Sequence, residues 1–380
     1  MTFELARLCL PYGEAALPED VSERDIRLLH FDGRRPRDIT VRVNVRGDSV
    51  CGETDGFSPF ALAVPEISAG PTLERLGSAD AIRSASQVAG SRFRSGVPVV
   101  YVASGETYAD VLALGPVATP SGGPILLTHR DQLPEATREM LLRLMPGRIV
   151  ILGGHGAISA VVEQALRQFA ADGVSRLSGF DRYETASALL AASFPVATPV
   201  VFIATGENFP DAIAGGAAAA RLNAPVVLVQ PDALPAASAA ELARLRPERI
   251  YVLGGSGAVS AGVLVRLAEF ASSSVERLAG ADRFHTAVRI SHEFFPRGAS
   301  TVYLAAGEEF GAALAAVPAA ARDSAPILLT RSSQIPAVVR DELERLRPER
   351  IVILGARGAT AAMLREDVAE LQSRWRVQRR

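Results

Sequence analysis

The sequence predicts an α/β chain: three tandem modules, each a parallel sheet covered by helices, behind a short β-rich region. Three observations carry this. A frame of 101 residues recurs without a gap, so that Arg75-Leu76-Gly77-Ser78-Ala79-Asp80 returns as Arg176-Leu177-Ser178-Gly179-Phe180-Asp181 and again as Arg277-Leu278-Ala279-Gly280-Ala281-Asp282. Inside each copy, short β-branched apolar runs alternate with helix-length segments, the pattern of a parallel sheet buried on both faces. Residues 1–70 lack that alternation and instead carry a period-two run at 39–45 (Ile-Thr-Val-Arg-Val-Asn-Val), with Thr40, Arg42 and Asn44 as its polar phase.

Taken in order, the chain begins with a turn-dense, acidic region of eight arginines against twelve Asp and Glu, which reads as the end of an antiparallel β domain over 1–70. Pro65 to Pro71 is the expected linker. The repeats then occupy 71–173, 174–274 and 275–380. In the second copy, 198–205 reads as a buried strand, 211–222 as an Ala-rich helix and 224–229 as a second buried strand. An amphipathic helix follows at 235–246, with Leu242 and Leu245 at helical spacing, then a strand at 249–253. A glycine turn leads to a helix at 260–271, and the short strand 275–278 enters the next copy.

Apolar residues make up 48% of the chain and charged ones 22%, which excludes a disordered or fibrous protein. A formal net charge of −2 gives no bulk basicity for nucleic acid. No apolar run is long enough for a membrane span. Residues 1–17 lack the basic start and apolar block of a signal peptide. The basic residues are all arginine, which GC-rich coding explains more simply than function does.

Chemistry-bearing candidates are few. The turns at Gly153-Gly154 and Gly254-Gly255 join strand to helix, where backbone amides could cradle an anion. Tight turns capped by Ser159 or Ser260 account for the same residues and are preferred. Glu106 with Asp110, and Glu207 with Asp211, stand at the C-terminal edge of a parallel strand, where open sheets bind ligands. A carboxylate pair can do acid–base work, but first-turn acids complementing the helix dipole explain it too, and the third copy has Ala312 in place of the aspartate. No nucleophile–base set and no recurrent metal-ligand set is visible. Asp181-Arg182-Tyr183-Glu184-Thr185 and Asp282-Arg283-Phe284-His285-Thr286 are the sharpest recurrences. They read equally as helix caps and as arginines presented to a polyanion. Cys9 and Cys51 read as a disulfide or as two buried thiols.

These residues together resemble the type 2 cell-wall-binding repeat of Gram-positive surface proteins. The motifs that carry the resemblance stand at 176–186, 206–212, 325–330 and 151–159, and the likeness covers about 71–380. It implies three Rossmann-like modules in a pseudo-threefold ring: a monomer that anchors an exported, wall-associated protein non-covalently to an anionic secondary wall polymer, teichoic-acid-like or acidic polysaccharide. It implies neither catalysis nor a cofactor or metal. The family's Pro-Ile-Leu-Leu motif, linked to polymer binding, falls on Pro124 and Leu127, on Pro225, and on Pro326 and Leu329; as an apolar strand, it is expected to position the loop behind it. The expected ligand set adds Arg176, Asp181, Arg182 and Thr185, their counterparts Arg277, Asp282, Arg283 and Thr286, and the turn glycines Gly153, Gly154, Gly254 and Gly255. The first copy departs by carrying Ala81 in place of the arginine. Residues 1–70 resemble the end of β-sandwich domains on exported anchored proteins, which favours a Cys9–Cys51 disulfide. The competing reading is an α/β enzyme acting on a wall or nucleotide-like substrate through Glu207 and Asp211.

Overall fold

The computed structural model describes residues 6–12, 26–31, 36–45, 49–54, 59–63, 71–78, 80–106, 112–119, 121–307, 311–332 and 334–355. The expected linker before Pro71, the acid Asp110, Glu308 (the third copy's counterpart of Glu106 and Glu207) and residues 356–358 of the third strand-to-helix turn, Gly355-Ala356-Arg357-Gly358, lie outside them. The chain divides into two compact units between Gly70 and Pro71.

The first unit holds two three-stranded antiparallel sheets. Strands β1 (Ala6–Pro11), β5 (Ser49–Thr54) and β4 (Thr40–Asn44) form one; β3 (Pro36–Asp38), β2 (Arg27–Phe31) and β6 (Phe60–Ala63) form the other. Ile26, Leu28 and Val50 are buried between them, with Leu8, Leu10, Ile39, Val43, Phe60 and Leu62 packed around. The expected alternation of 39–45 breaks at Val41, which is exposed, because the β4–β5 register shifts between Thr40 and Arg42. Cys9 lies opposite Cys51 on β1 and β5, and the two form a disulfide across a sequence separation of 42. Closing a loop of that length contributes about 3–4 kcal/mol in the chain-entropy account, which suits a unit with so small a core.

The second unit is built from three four-stranded parallel sheets. The strands are β7 (Thr72–Leu76), β8 (Val99–Ser104), β9 (Ile125–Thr128), β10 (Arg148–Leu152), β11 (Val174–Leu177) and β12 (Val200–Thr205), followed by β13 (Val226–Val229), β14 (Arg249–Leu253), β15 (Ser274–Leu278), β16 (Thr301–Ala306), β17 (Ile327–Thr330) and β18 (Arg350–Leu354). Their orders are β11-β10-β8-β9, β15-β14-β12-β13 and β7-β18-β16-β17. The strand that opens each sequence repeat therefore completes the sheet of the preceding one. For the first repeat the preceding sheet is the third, so β7 pairs with β18 and closes the ring.

Between the strands run α1 (Ala81–Arg92), α2 (Leu114–Ala118), α3 (Glu135–Leu144), α4 (Ala160–Leu166), α5 (Arg182–Ser193), α6 (Pro210–Arg221), α7 (Ala236–Leu245), α8 (Ala261–Leu267), α9 (Arg283–Phe294), α10 (Gly311–Arg322) and α11 (Ala337–Leu346). Helix α8 ends earlier than the expected 271. The chain turns back through Ser272 and Ser273, whose amides donate to Pro247 and Glu248 carbonyls at 3.1 and 2.9 Å.

Helices α2, α6 and α10 pack on one another in pairs around the pseudo-threefold axis. Gly115, Gly216 and Val317 are equivalent positions there. A β-carbon on Gly115 would collide with Val317, and one on Gly216 would lie 3.4 Å from it. Two glycines thus admit one valine, and the Ala-rich segments are small because three helices converge. Alanine and glycine here serve close packing, whatever coding bias supplied them.

The three junctions between modules differ in chemistry at equivalent positions. At the first, the Tyr101 and Ser121 hydroxyls share a 3.0 Å hydrogen bond. At the second, Phe202, Tyr251 and Phe294 cluster with ring centroids 5.2–5.3 Å apart. The ring-closing junction is ionic: Arg92 donates to Glu74 at 2.6 and 3.0 Å, to Tyr303 at 3.0 Å and to Asp323 at 3.3 Å, and Arg350 reaches Asp323 at 2.7 Å.

Candidate functional site

At each module junction the C-terminal ends of one sheet meet the first turn of the helix that starts the next repeat. Asp181 and Asp282 cap α5 and α9. One oxygen of each accepts from the amides two and three residues on, at 2.9 Å. Such a cap contributes about 1 kcal/mol. For Asp282, burial acts against ionisation, but hydrogen bonds from His285 and Phe284 hold its carboxyl below the usual range. Thr185 and Thr286 accept from the Gly179 and Gly280 amides at 3.0 and 3.2 Å, folding the Leu-x-Gly turn onto the helix.

The capped helices then direct their arginines along the edge of their own module. Arg182 donates to the Gly206 carbonyl, and Arg283 to the Gly307 carbonyl at 2.6 Å. The acceptors sit just past β12 and β16, the first buried strands of the same modules. Neither guanidinium makes an ion pair with a described residue. A guanidinium has five N–H donors, so most of each remains available.

Arg176 and Arg277 lie deeper. Arg176 donates to the Gly153 carbonyl at 2.7 Å and pairs with Glu163 at 2.7 Å, while Arg277 donates to Gly254 and Val259 carbonyls at 2.7 Å. The hydrogen bond from Arg176, against burial, holds Glu163 below its usual range. These arginines pin the glycine turns. Gly153 and Gly254 have φ of 91° and 90°, the left-handed region that excludes a side chain. Gly154 and Gly255 carbonyls accept from the amides that follow, and the Ser159 and Ser260 amides donate to Arg130 and Pro231 carbonyls. The turns are closed on themselves at these positions, and only Ser260 acts as a side-chain cap, at 3.4 Å to Val263.

Pro124, Leu127, Pro225, Pro326 and Leu329 are buried. Their strands sit at sheet edges, where the three proline carbonyls accept from Tyr101, Phe202 and Tyr303 amides. Their side chains fill the core, and the loop that follows β9 is held by Thr128, whose hydroxyl donates to the Gln132 carbonyl at 3.1 Å.

Asp211 is the electrostatic exception. It stands in the first turn of α6, where a β-carbon on Gly254 would collide with its carboxylate. Burial pushes its pKa up to about 6, partly offset by Arg283. Glu207, four residues before it, is exposed. The native state therefore holds the Asp211 proton more tightly than the unfolded chain, and the associated stability is full below about pH 4 and lost as pH rises through 6. Asp211→Asn removes that penalty. It is expected to raise stability near neutral pH by about 2–3 kcal/mol, with the gain fading between pH 6 and 4, as read from urea melts across pH.

The junctions are not equal. The second joins Asp211 to Arg283. At the third, the equivalents are Ala312 and Ala81, and Ala81 packs directly on Gly311. Acid and arginine are lost together where the ring closes.

One exposed residue escaped the motif reading. Phe180, the residue before the α5 cap, is 95% exposed beside Arg182. Its equivalents are Ala79 and Ala281, so the signal available was a phenylalanine where both other copies carry alanine, in a chain with only 6% aromatics. Among the described residues, no group of three or more His, Cys, Asp or Glu could hold a metal, and no helix is long and apolar enough to cross a membrane.

Comparison with known proteins bears directly on this ring. The family described as "Cell wall binding domain 2" matches residues 75–163, 176–264 and 277–363. The chain belongs to this family. Its three cell wall binding domain 2 repeats are the three copies of the 101-residue frame. Among curated proteins, the N-acetylmuramoyl-L-alanine amidase LytC of Bacillus subtilis is 24% identical over 299 residues, 79% of this chain and 58% of that protein. The amidase enhancer of the same organism is 26% identical over 269 residues, 70% of this chain and 36% of that one. The chain thus spans little more than half of the first relative and about a third of the second. Among solved structures, Cwp6 from Clostridium difficile has a TM-score of 0.74 at 21% identity, covering 97% of this chain and 65% of that one. Cwp8 from the same organism has a TM-score of 0.71 at 26% identity, covering 79% and 52%. The repeats bind cell walls as a family, and the fold is that of Cwp6 and Cwp8.

Proposed function

We propose that the chain is a non-catalytic attachment module that holds an exported protein to an anionic secondary wall polymer at the first two junctions of its ring. The observation that supports this most directly is the pair Arg182 and Arg283. Each reaches from the first turn of its module's opening helix to the carbonyl just past that module's first buried strand, at a sheet's C-terminal edge, with most of its donors unspent. Arginine matches phosphate and carboxylate oxygens in its planar fork. Two junctions on one rigid ring engage one polymer together, so weak contacts add through effective concentration. Phe180 beside Arg182 offers an apolar face for a sugar ring. A monomeric ring supplies the whole arrangement.

Sedimentation with purified walls tests the proposal. Binding is expected to intact walls, to weaken with salt, and to disappear once the anionic polymer is extracted. Equal binding to extracted walls would overturn it.

The second reading, an enzyme acting through Glu207 and Asp211, draws on the raised Asp211 pKa. Against it stands the missing acid in the third copy, where Ala312 replaces the aspartate. Release of soluble products from walls, abolished in Glu207→Gln, would favour this reading instead.

A further inference from the structure

The first repeat carries an open groove among its described residues. It runs between α1 and α3, has a volume of about 800 Å³, and is lined by Arg75, Arg83, Glu139, Met140 and Arg143 among others. The ring supplies its own controls. Arg143 is equivalent to Arg244 and Arg345, which bond both oxygens of a buried glutamate on the preceding turn. Arg244 reaches Glu241 at 2.9 Å, and Arg345 reaches Glu342 at 2.7 and 2.8 Å. His292 adds a 2.9 Å contact to Glu342.

In the first repeat the glutamate is replaced by Met140, yet the arginine is kept. Arg143 retains a single backbone acceptor, the Gly90 carbonyl at 2.5 Å, and makes no ion pair with a described residue. Gly90 itself replaces Ala191 and His292, and a β-carbon there would lie 2.5 Å from the Arg143 guanidinium. Arg83 stands where the second repeat has Glu184 and is likewise exposed and without an ion pair to a described residue. The groove therefore combines a missing carboxylate, a glycine that lets Arg143 and Met140 approach α1 closely, and two exposed arginines, Arg83 and Arg143.

We propose that this groove is a binding site for an oxyanion, a phosphate or carboxylate group on an extended chain, separate from the junctions. The incoming oxygens supply to Arg143 the charge that Glu241 and Glu342 supply to its counterparts, from the open side of the groove. Arg143 and Arg83 donate to them, and Met140 offers an apolar edge to the chain that bears the charge.

Side-chain NMR of the arginine Nε–H groups, in titrations with inorganic phosphate and separately with glucuronate, tests this. Saturable shifts are expected at Arg83 and Arg143, and the stronger of the two titrations identifies the group. Met140→Glu restores the pair already present twice in the same chain. It should fold normally and bind at least about tenfold more weakly, while Met140→Gln, of similar shape and no charge, should bind as the parent does. Absence of shifts at Arg83 and Arg143, unchanged binding in Met140→Glu, or equal loss in both variants would overturn the site. Because the readout is a small anion and not a wall, failure of wall attachment leaves the result intact, and the reverse holds.

Discussion

Arg92→Ala is expected to destabilise the ring by about 3–5 kcal/mol, the range for removing one partner from a buried ionic network. The Arg92 side chain is only 11% exposed and serves Glu74, Asp323 and Tyr303 at once. Without it, Tyr303 and Asp323 keep only each other and Arg350, and the half-buried Glu74 is left with Arg350 at 3.8 Å. The network joins β7 and α1, the first elements of the ring, to β16, α10 and β18, the last. Its loss therefore acts on closure itself. Thermal unfolding should show the destabilisation. Size exclusion should show dimers, because a released β7 can pair with the β18 of a second copy.

The same variant carries a pH signature. Glu74 is held below its usual range, first by the hydrogen bond from Arg92 and against the pull of burial. It therefore contributes stability that is present above the ordinary carboxylate value of 4.5 and is lost as pH falls through its depressed folded value. In Arg92→Ala that acid-side loss should largely vanish. A steep acid limb identical to the parent's would refute the role given to this pair.

The second large effect is on binding. Arg182→Gln with Arg283→Gln is expected to weaken wall attachment by about a hundredfold to ten-thousandfold, two charge-assisted contacts at roughly 1.5–3 kcal/mol each. Each arginine also donates one bond to a backbone carbonyl, Gly206 or Gly307. Glutamine retains a donor there, and the melting temperature is expected to fall only modestly. Sedimentation with walls over a salt series separates the two effects, since the residual binding of the double variant should also lose most of its salt dependence. Binding that stays within a few-fold of the parent, with unchanged salt response, would move the site away from the junctions.

Much of this was legible in the residues. The spacing of Arg75, Arg176 and Arg277 marked three copies, and the strands at 198–205, 224–229 and 249–253 fall within two residues of β12, β13 and β14. Periodicity reports local burial, and burial is what makes these strands. The Asp181 and Asp282 caps were readable because capping is a contact within three residues. The disulfide was open in the residues and was favoured only by resemblance, because register between β1 and β5 is a long-range fact.

What stayed hidden is non-local. The repeat frame starts at the Arg-Leu strand, but the sheets are cut one strand later, since β11, β15 and β7 each pair with the module before them. Nothing in a periodic sequence says which neighbour a boundary strand will join. The blank at Ala81 and the blank at Ala312 stand 231 positions apart in sequence, and only ring closure brings them to one junction. The exchange of Glu241 and Glu342 for Met140 reads as a neutral core substitution until Arg143 is seen without its partner.

By itself, then, the sequence determined the number of copies, their elements and the family, because each of these rests on short-range pattern repeated three times. The tertiary structure decided how the ring closes, which module each boundary strand joins, and where a charge is left uncompensated. Those depend on which surfaces meet, and residues that meet across the ring carry no mark of each other in the linear chain.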